Sequence, residues 1–231
     1  MEPDRKGFRG IWCLLLGFCL LAAMVLALCF WSSMKRPDIV GRKLTDEERA
    51  EVAARNSPLI DYIFLSPNAD FPRGDSIKKL TIHHMAGDFC LEMIGANFSQ
   101  RDRRASSNYA IDSSGRIALY VEESNRAWTS SSKENDDQAV TIEVANDETG
   151  GNWHVSDEAY EALIALCTDI CRRNGIWRLD FTGNPEGSLT IHKMFSDKTE
   201  CPGPYLESRM VEIAAAVNER LAKDREEEAQ Q

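Results

Sequence analysis

Histidine is scarce in this chain, with four among 231 residues, so the position of each one is informative. A disulfide framework is missing as well. Of seven cysteines, Cys13, Cys19 and Cys29 share one apolar run, and Cys167 and Cys171 are spaced i, i+4 on an expected helix. That spacing favours side-by-side packing over a bridge and excludes a disulfide-stapled scaffold. Internal repeats are absent. Beyond Lys43 positive charge is in deficit: residues 44–231 carry a net charge of −14, against +4 for residues 1–43. Binding to nucleic acid requires a basic surface that neutralises phosphates. No nucleic-acid partner is therefore expected.

Charge is also missing from Ile11 to Trp31, an almost wholly apolar run. Its length matches the roughly 20 residues that cross a bilayer as a helix. A cleaved secretory signal has a shorter apolar core of about 7–15 residues and a small-residue cleavage site. The segment Cys29-Phe30-Trp31-Ser32-Ser33-Met34 offers no such site. The reading is an uncleaved N-terminal transmembrane helix over residues 11–31, preceded by a basic flank (1–10). Arg5, Lys6 and Arg9 lie on one side of it and Lys35, Arg36, Arg42 and Lys43 on the other. The positive-inside rule therefore leaves the orientation open.

Beyond the apolar run the chain has the patterning of an α/β protein. Residues 32–58 read as a juxtamembrane linker and a short polar helix, opened by the capping box Thr45-Asp46-Glu47-Glu48 and stopped by Asn56-Ser57-Pro58. Lys79 to His84 reads as a strand, and Leu91, Ile94 and Phe98 recur at helical spacing. Asn108–Asp112 and Arg116–Val121 flank a Ser-Ser-Gly turn and read as a hairpin. Ala139–Ala145 is a strand rich in β-branched residues. Ser156 caps a helix that Gly175 stops, Leu189–His192 is another short strand, and Leu206 to Leu221 marks a last helix. The sum is a single mixed α/β domain, residues 59–223, with a central β-sheet flanked by helices, then a frayed polar tail (224–231).

The chemistry concentrates at strand ends. His83 and His84 close one predicted strand and His192 another, and Cys201 lies nine residues beyond His192. Alternation along a strand points Thr81 and His83 one way, Ile82 and His84 the other. Two imidazoles and a thiolate would hold zinc and leave a fourth position for water, the pattern of catalytic zinc. From spacing alone, a packed His192 and a buried Cys201 thiol remain the competing reading. Glu143 sits inside Val140-Thr141-Ile142-Glu143-Val144-Ala145, a strand otherwise suited to burial. A carboxylate there is costly unless paired or used. Beside a metal it serves as a general base. On an edge strand it is merely part of a polar face.

Four segments then occur in order: Leu80-Thr81-Ile82-His83-His84, Ser106-Ser107-Asn108-Tyr109-Ala110-Ile111-Asp112, Ala139 to Asp147, and Thr199-Glu200-Cys201-Pro202-Gly203-Pro204. Together they resemble the zinc-dependent N-acetylmuramoyl-L-alanine amidase family, which includes phage lysozyme-type amidases and peptidoglycan recognition proteins. The similarity spans roughly residues 59–222. It implies zinc held by His83, His192 and Cys201, with His84 packing or supporting. It implies Glu143 as the general base, because the tyrosine that other members use falls on Ser107 here. Thr199 or Lys198 takes the role of oxyanion donor, and Trp128, Asn108 and Asn146 are the expected substrate-binding residues. The implied reaction is hydrolysis of the amide between N-acetylmuramic acid and L-alanine in peptidoglycan, which requires the domain to lie outside the membrane. Alternatives are a non-catalytic peptidoglycan-binding module, a zinc peptidase or amidase acting on another substrate, and a membrane-anchored adaptor.

Overall fold

The computed structural model describes residues 38–228. The apolar run 11–31 lies outside them; among the described residues no helix is long and apolar enough to cross a membrane.

The first helix, α1 (Asp46–Arg55), carries both halves of its capping box: the Glu48 N–H donates to Thr45 Oγ1 at 3.2 Å, and the Thr45 N–H to Glu48 Oε2 at 2.9 Å. Two orphan helix donors are thereby satisfied. Leu44 and Val52 are buried in the main core. The stretch from residue 38 to 58, with its short helix, thus packs against the domain core.

Six strands form the main sheet: β1 (Tyr62–Ile63), β3 (Lys79–His84), β4 (Tyr109–Ile111), β5 (Ile117–Leu119), β7 (Ala139–Val144) and β8 (Leu189–Ile191), in the order β1-β5-β4-β7-β3-β8. Only the β4–β5 hairpin is antiparallel. Its turn is set by Asp112, whose Oδ1 accepts from the Ser114 N–H, the Ser114 hydroxyl and the Arg116 N–H. Gly115 supplies φ +82°, and a Cβ there would meet the Glu158 carbonyl oxygen at 2.8 Å. A small second sheet pairs β2 (Ala69–Asp70) with β6 (Arg126–Ala127).

The two faces of the main sheet differ. Leu80, Ile82, Val140, Ile142, Val144, Leu189 and Ile191 belong to one core cluster. Against them pack Leu163, Leu166 and Ile170 of α4 (Asp157–Arg173) and Met210, Ile213 and Val217 of α5 (Gly203–Glu228). The other face is small and polar: Thr81, His83, Thr141, Glu143, Thr190 and Ala110. There α2 (Leu91–Ser99) covers only the Ala110, Ala118 and Tyr120 end, and the short α3 (Lys133–Gln138) sends Asn135 Nδ2 to Thr81 Oγ1 at 2.9 Å. Between these covers the C-terminal ends of β7 and β3 stay accessible.

Two boundaries differ from the sequence reading. The last helix continues through Asp224 to Glu228, with Asp224 tied to Arg172 of α4 by an ion pair. His192 does not end β8 but opens a short 3-10 turn, His192–Met194.

Candidate active site

Register brings the chemistry together. On the parallel pair β3–β7, His83 stands opposite Glu143; on β3–β8, Ile82 stands opposite Ile191, so His192 comes next on the third strand at the level of His83. Cys201 arrives from the loop before α5. One ligand atom from each of His83, His192 and Cys201 lies within 4.8 Å of the others. His83 Nδ1 is 3.6 Å from Cys201 Sγ. A tetrahedral zinc with bonds of about 2.05 Å to nitrogen and 2.3 Å to sulfur separates those two atoms by about 3.6 Å, so the donor set fits. The imidazole centroids are 4.8 Å apart, and His83 Nε2 is buried without a partner.

The protonation states of the two histidines suit a cation. Burial, followed by the neighbouring His192 and His84, holds the His83 pKa well below its usual value, and burial lowers that of His192. Both rings are neutral donors at neutral pH. Burial raises the Cys201 thiol, as does the nearby Glu143 charge, while the His84 N–H partly offsets this by pointing at Sγ from 3.4 Å. Burial pushes Glu143 up to about 8, with Arg103 acting the other way, and Glu143 Oε2 has no hydrogen-bond partner. A cation bound next to it would favour its ionised form.

Glu143 borders a cleft of about 490 Å³ whose other lining includes Arg103 and an apolar wall of Met85, Phe89, Met93 and Ile94. Met93 and Phe89 are among the exposed large hydrophobic residues. Around this centre the backbone is strained. Among the described residues the non-glycine positions with positive φ are Ala86, Arg104, Ser131 and Trp153. Ala86 lines the cleft, Arg104 adjoins Arg103, Ser131 Oγ is 3.4 Å from His192 Nε2, and the Trp153 ring meets that of His84. Strain of this kind costs on the order of 1–3 kcal/mol per residue and gathers at functional sites.

A family model for N-acetylmuramoyl-L-alanine amidases matches residues 73–204, more than half of the chain, including β3, β7, His192 and Cys201. The chain belongs to that family. Its fold is similar to that of the AmpD selenomethionine derivative, at 20% identity and a TM-score of 0.54 over 68% of this chain and 95% of that one. It is also similar to the Staphylococcus aureus hydrolase AmiA in complex with its ligand (12%, 0.54, 80% and 95%) and to a mutant endolysin from Bacillus subtilis (15%, 0.52, 68% and 99%). No curated protein sequence matches the chain. At these identities the likeness to solved structures speaks for the amidase fold and nothing finer.

The remaining residues expected at the site divide. Thr199 Oγ1 accepts from the Cys201 N–H at 3.1 Å, which leaves the hydroxyl proton free to donate. Lys198 is exposed, and only its backbone N–H makes a hydrogen bond, to Ser196. Asn108 is fully buried, exchanging hydrogen bonds with Thr141 and donating to the Val121 carbonyl. Asn146 is likewise fully buried and donates to the Trp153 carbonyl. Trp128 is half-buried, its indole held by Asp70 at 3.0 Å, and the next residue, Thr129, touches Thr141 on the polar face at 2.9 Å. Sequence reasoning passed over Arg103, Ser131 and Trp153. The run Arg101-Asp102-Arg103-Arg104 was a visible signal for the first; the other two are distinguished only by backbone conformation.

Proposed function

We propose that this chain is a zinc-dependent hydrolase of the amide between N-acetylmuramic acid and L-alanine in peptidoglycan, held by its N-terminal helix with the catalytic domain outside the membrane. The observation that carries the reading is the convergence of His83, His192 and Cys201, with Glu143 the strand neighbour of His83. Family members that only bind peptidoglycan typically lose a zinc ligand, and the intact set favours an enzyme.

Zinc held by His83, His192 and Cys201 would supply a Lewis acid that polarises the substrate carbonyl and acidifies water. Glu143, which lines the cleft, takes the proton of the attacking water. It then returns a proton to the departing alanine amine. The Thr199 hydroxyl, anchored as acceptor by Cys201, donates to the carbonyl oxygen as that atom gains charge. The cleft beside Glu143 has room for the groups flanking the scissile bond. A tether at residues 11–31 would keep the domain next to its polymer and raise its effective concentration.

The test incubates residues 38–231 with purified peptidoglycan, with and without a chelator, and assays new N-terminal alanine. Chelator-sensitive release supports both the bond and the metal. No release by folded, zinc-containing protein points to a binding module or another substrate.

A further inference from the structure

The side of β3 turned away from the metal ligands carries a second constellation. His84 points opposite to His83, and its backbone N–H donates to Cys201 Sγ. Its ring meets Trp153 edge-on, with centroids 5.3 Å apart and planes at 85°. Gly203, two residues after Cys201, completes the contact. A Cβ on it would lie 3.0 Å from His84 Cε1, 3.1 Å from Nδ1 and 3.3 Å from Trp153 Cβ, and its φ is +81°. The backbone after the ligand cysteine is thus wedged against both rings.

Trp153 holds φ +53°, a left-handed conformation that side chains other than glycine rarely adopt. Its N–H donates to the Gly150 carbonyl, and its carbonyl accepts from Asn146 Nδ2 at 2.8 Å. Asn146 is fully buried, and its own N–H donates to the Gly87 carbonyl in the loop after β3. His84 Nδ1 and Asn146 Oδ1 are both buried without a hydrogen-bond partner. The loop that carries Trp153 reaches the start of α5, where the Tyr205 N–H donates to the Asn152 carbonyl. Asn146 therefore links the chain after β3 to the loop 147–154, and that loop reaches the segment after Cys201 through Asn152 and Tyr205.

We propose that Asn146 and Trp153, acting through His84 and Gly203, are positioning residues that set the Cys201 sulfur at the metal-binding distance from His83. The inference rests on the metal reading of the site. Groups that orient metal ligands without touching the metal are typically worth 10–100-fold in affinity.

The experiment measures the zinc dissociation constant by chelator competition for the wild type, Asn146→Ala, Trp153→Ala, Trp153→Phe and Gly203→Ala. It adds the thiolate-to-metal charge-transfer band of the cobalt-substituted proteins. Trp153→Ala, Asn146→Ala and Gly203→Ala are expected to bind zinc about 10–100-fold more weakly and to lose or shift that band. Trp153→Phe keeps a ring against His84 and is expected to stay near wild type. Should any alanine variant fail to fold, the contrast between Trp153→Phe and Trp153→Leu carries the test. Variants that lose thermal stability but keep zinc affinity and band unchanged would overturn the proposal alone. A wild-type protein that takes up no zinc would overturn the metal reading and the proposal with it.

Discussion

Replacing Glu143 by glutamine separates activity from stability in a way that tests the site directly. The side chain sits in a cleft with one oxygen unpartnered, and burial raises its pKa from 4.5 to about 8. A carboxyl raised on folding costs nothing below the unfolded pKa, where both states are protonated. The cost grows as pH rises through 4.5 and levels off above about 8. At pH 7 those two values amount to about 3 kcal/mol against the folded, metal-free protein. Water in the open cleft screens part of this, and an unpaired amide is not free, so a net gain of about 1–3 kcal/mol is expected for Glu143→Gln. For a domain of this size that corresponds to about 2–10 °C in melting temperature. Thermal unfolding of the metal-free proteins at pH 7–8 should show the gain, and at pH 4 the two should coincide. The same substitution should leave zinc content unchanged, because Glu143 is not a ligand, and lower kcat by about 10²–10⁴-fold. Near-full activity, or no stability gain above pH 7, would refute the reasoning.

Cys201→Ala should abolish zinc retention after dialysis, as read by metal analysis, while the far-UV spectrum is kept, since the α4–α5 core lies on the other sheet face. Thr199→Val should lower kcat by about 10²–10³-fold and Lys198→Ala should leave it near wild type; steady-state kinetics on a muropeptide separates the two. Tyr109→Phe removes a 2.6 Å hydrogen bond to the Glu123 carboxylate, which Arg173 and Asn174 also engage. A loss of about 1–3 kcal/mol is expected in urea unfolding. Leu163→Ala, in the fully buried face of α4, should cost about 2–5 kcal/mol by the same measurement.

The elements were legible in the sequence where local chemistry is strong. The Thr45 capping box, the Ser156 cap, the Asp112 turn and the alternation along β3 each act within a few residues, and all of these appear in the structure. The tail from Asp224 to Glu228 looked frayed because its composition is charged. It continues the last helix to Glu228, and Asp224 pairs with Arg172 on the neighbouring helix, 52 residues away. Asn108 and Asn146 lie in segments shared with the family, and only the structure shows that both are fully buried and hydrogen-bonded to the backbone of neighbouring segments.

By itself the sequence determined which residues can do metal and acid–base chemistry, and which side of each strand they occupy, because side-chain period and residue type are local properties. Tertiary structure decided that His83 and Glu143 stand side by side on β3 and β7, with His192 just past the end of β8, since register is set by pairing between segments tens of residues apart. It also decided that Cys201 comes within 3.6 Å of His83, a residue 118 positions earlier in the chain.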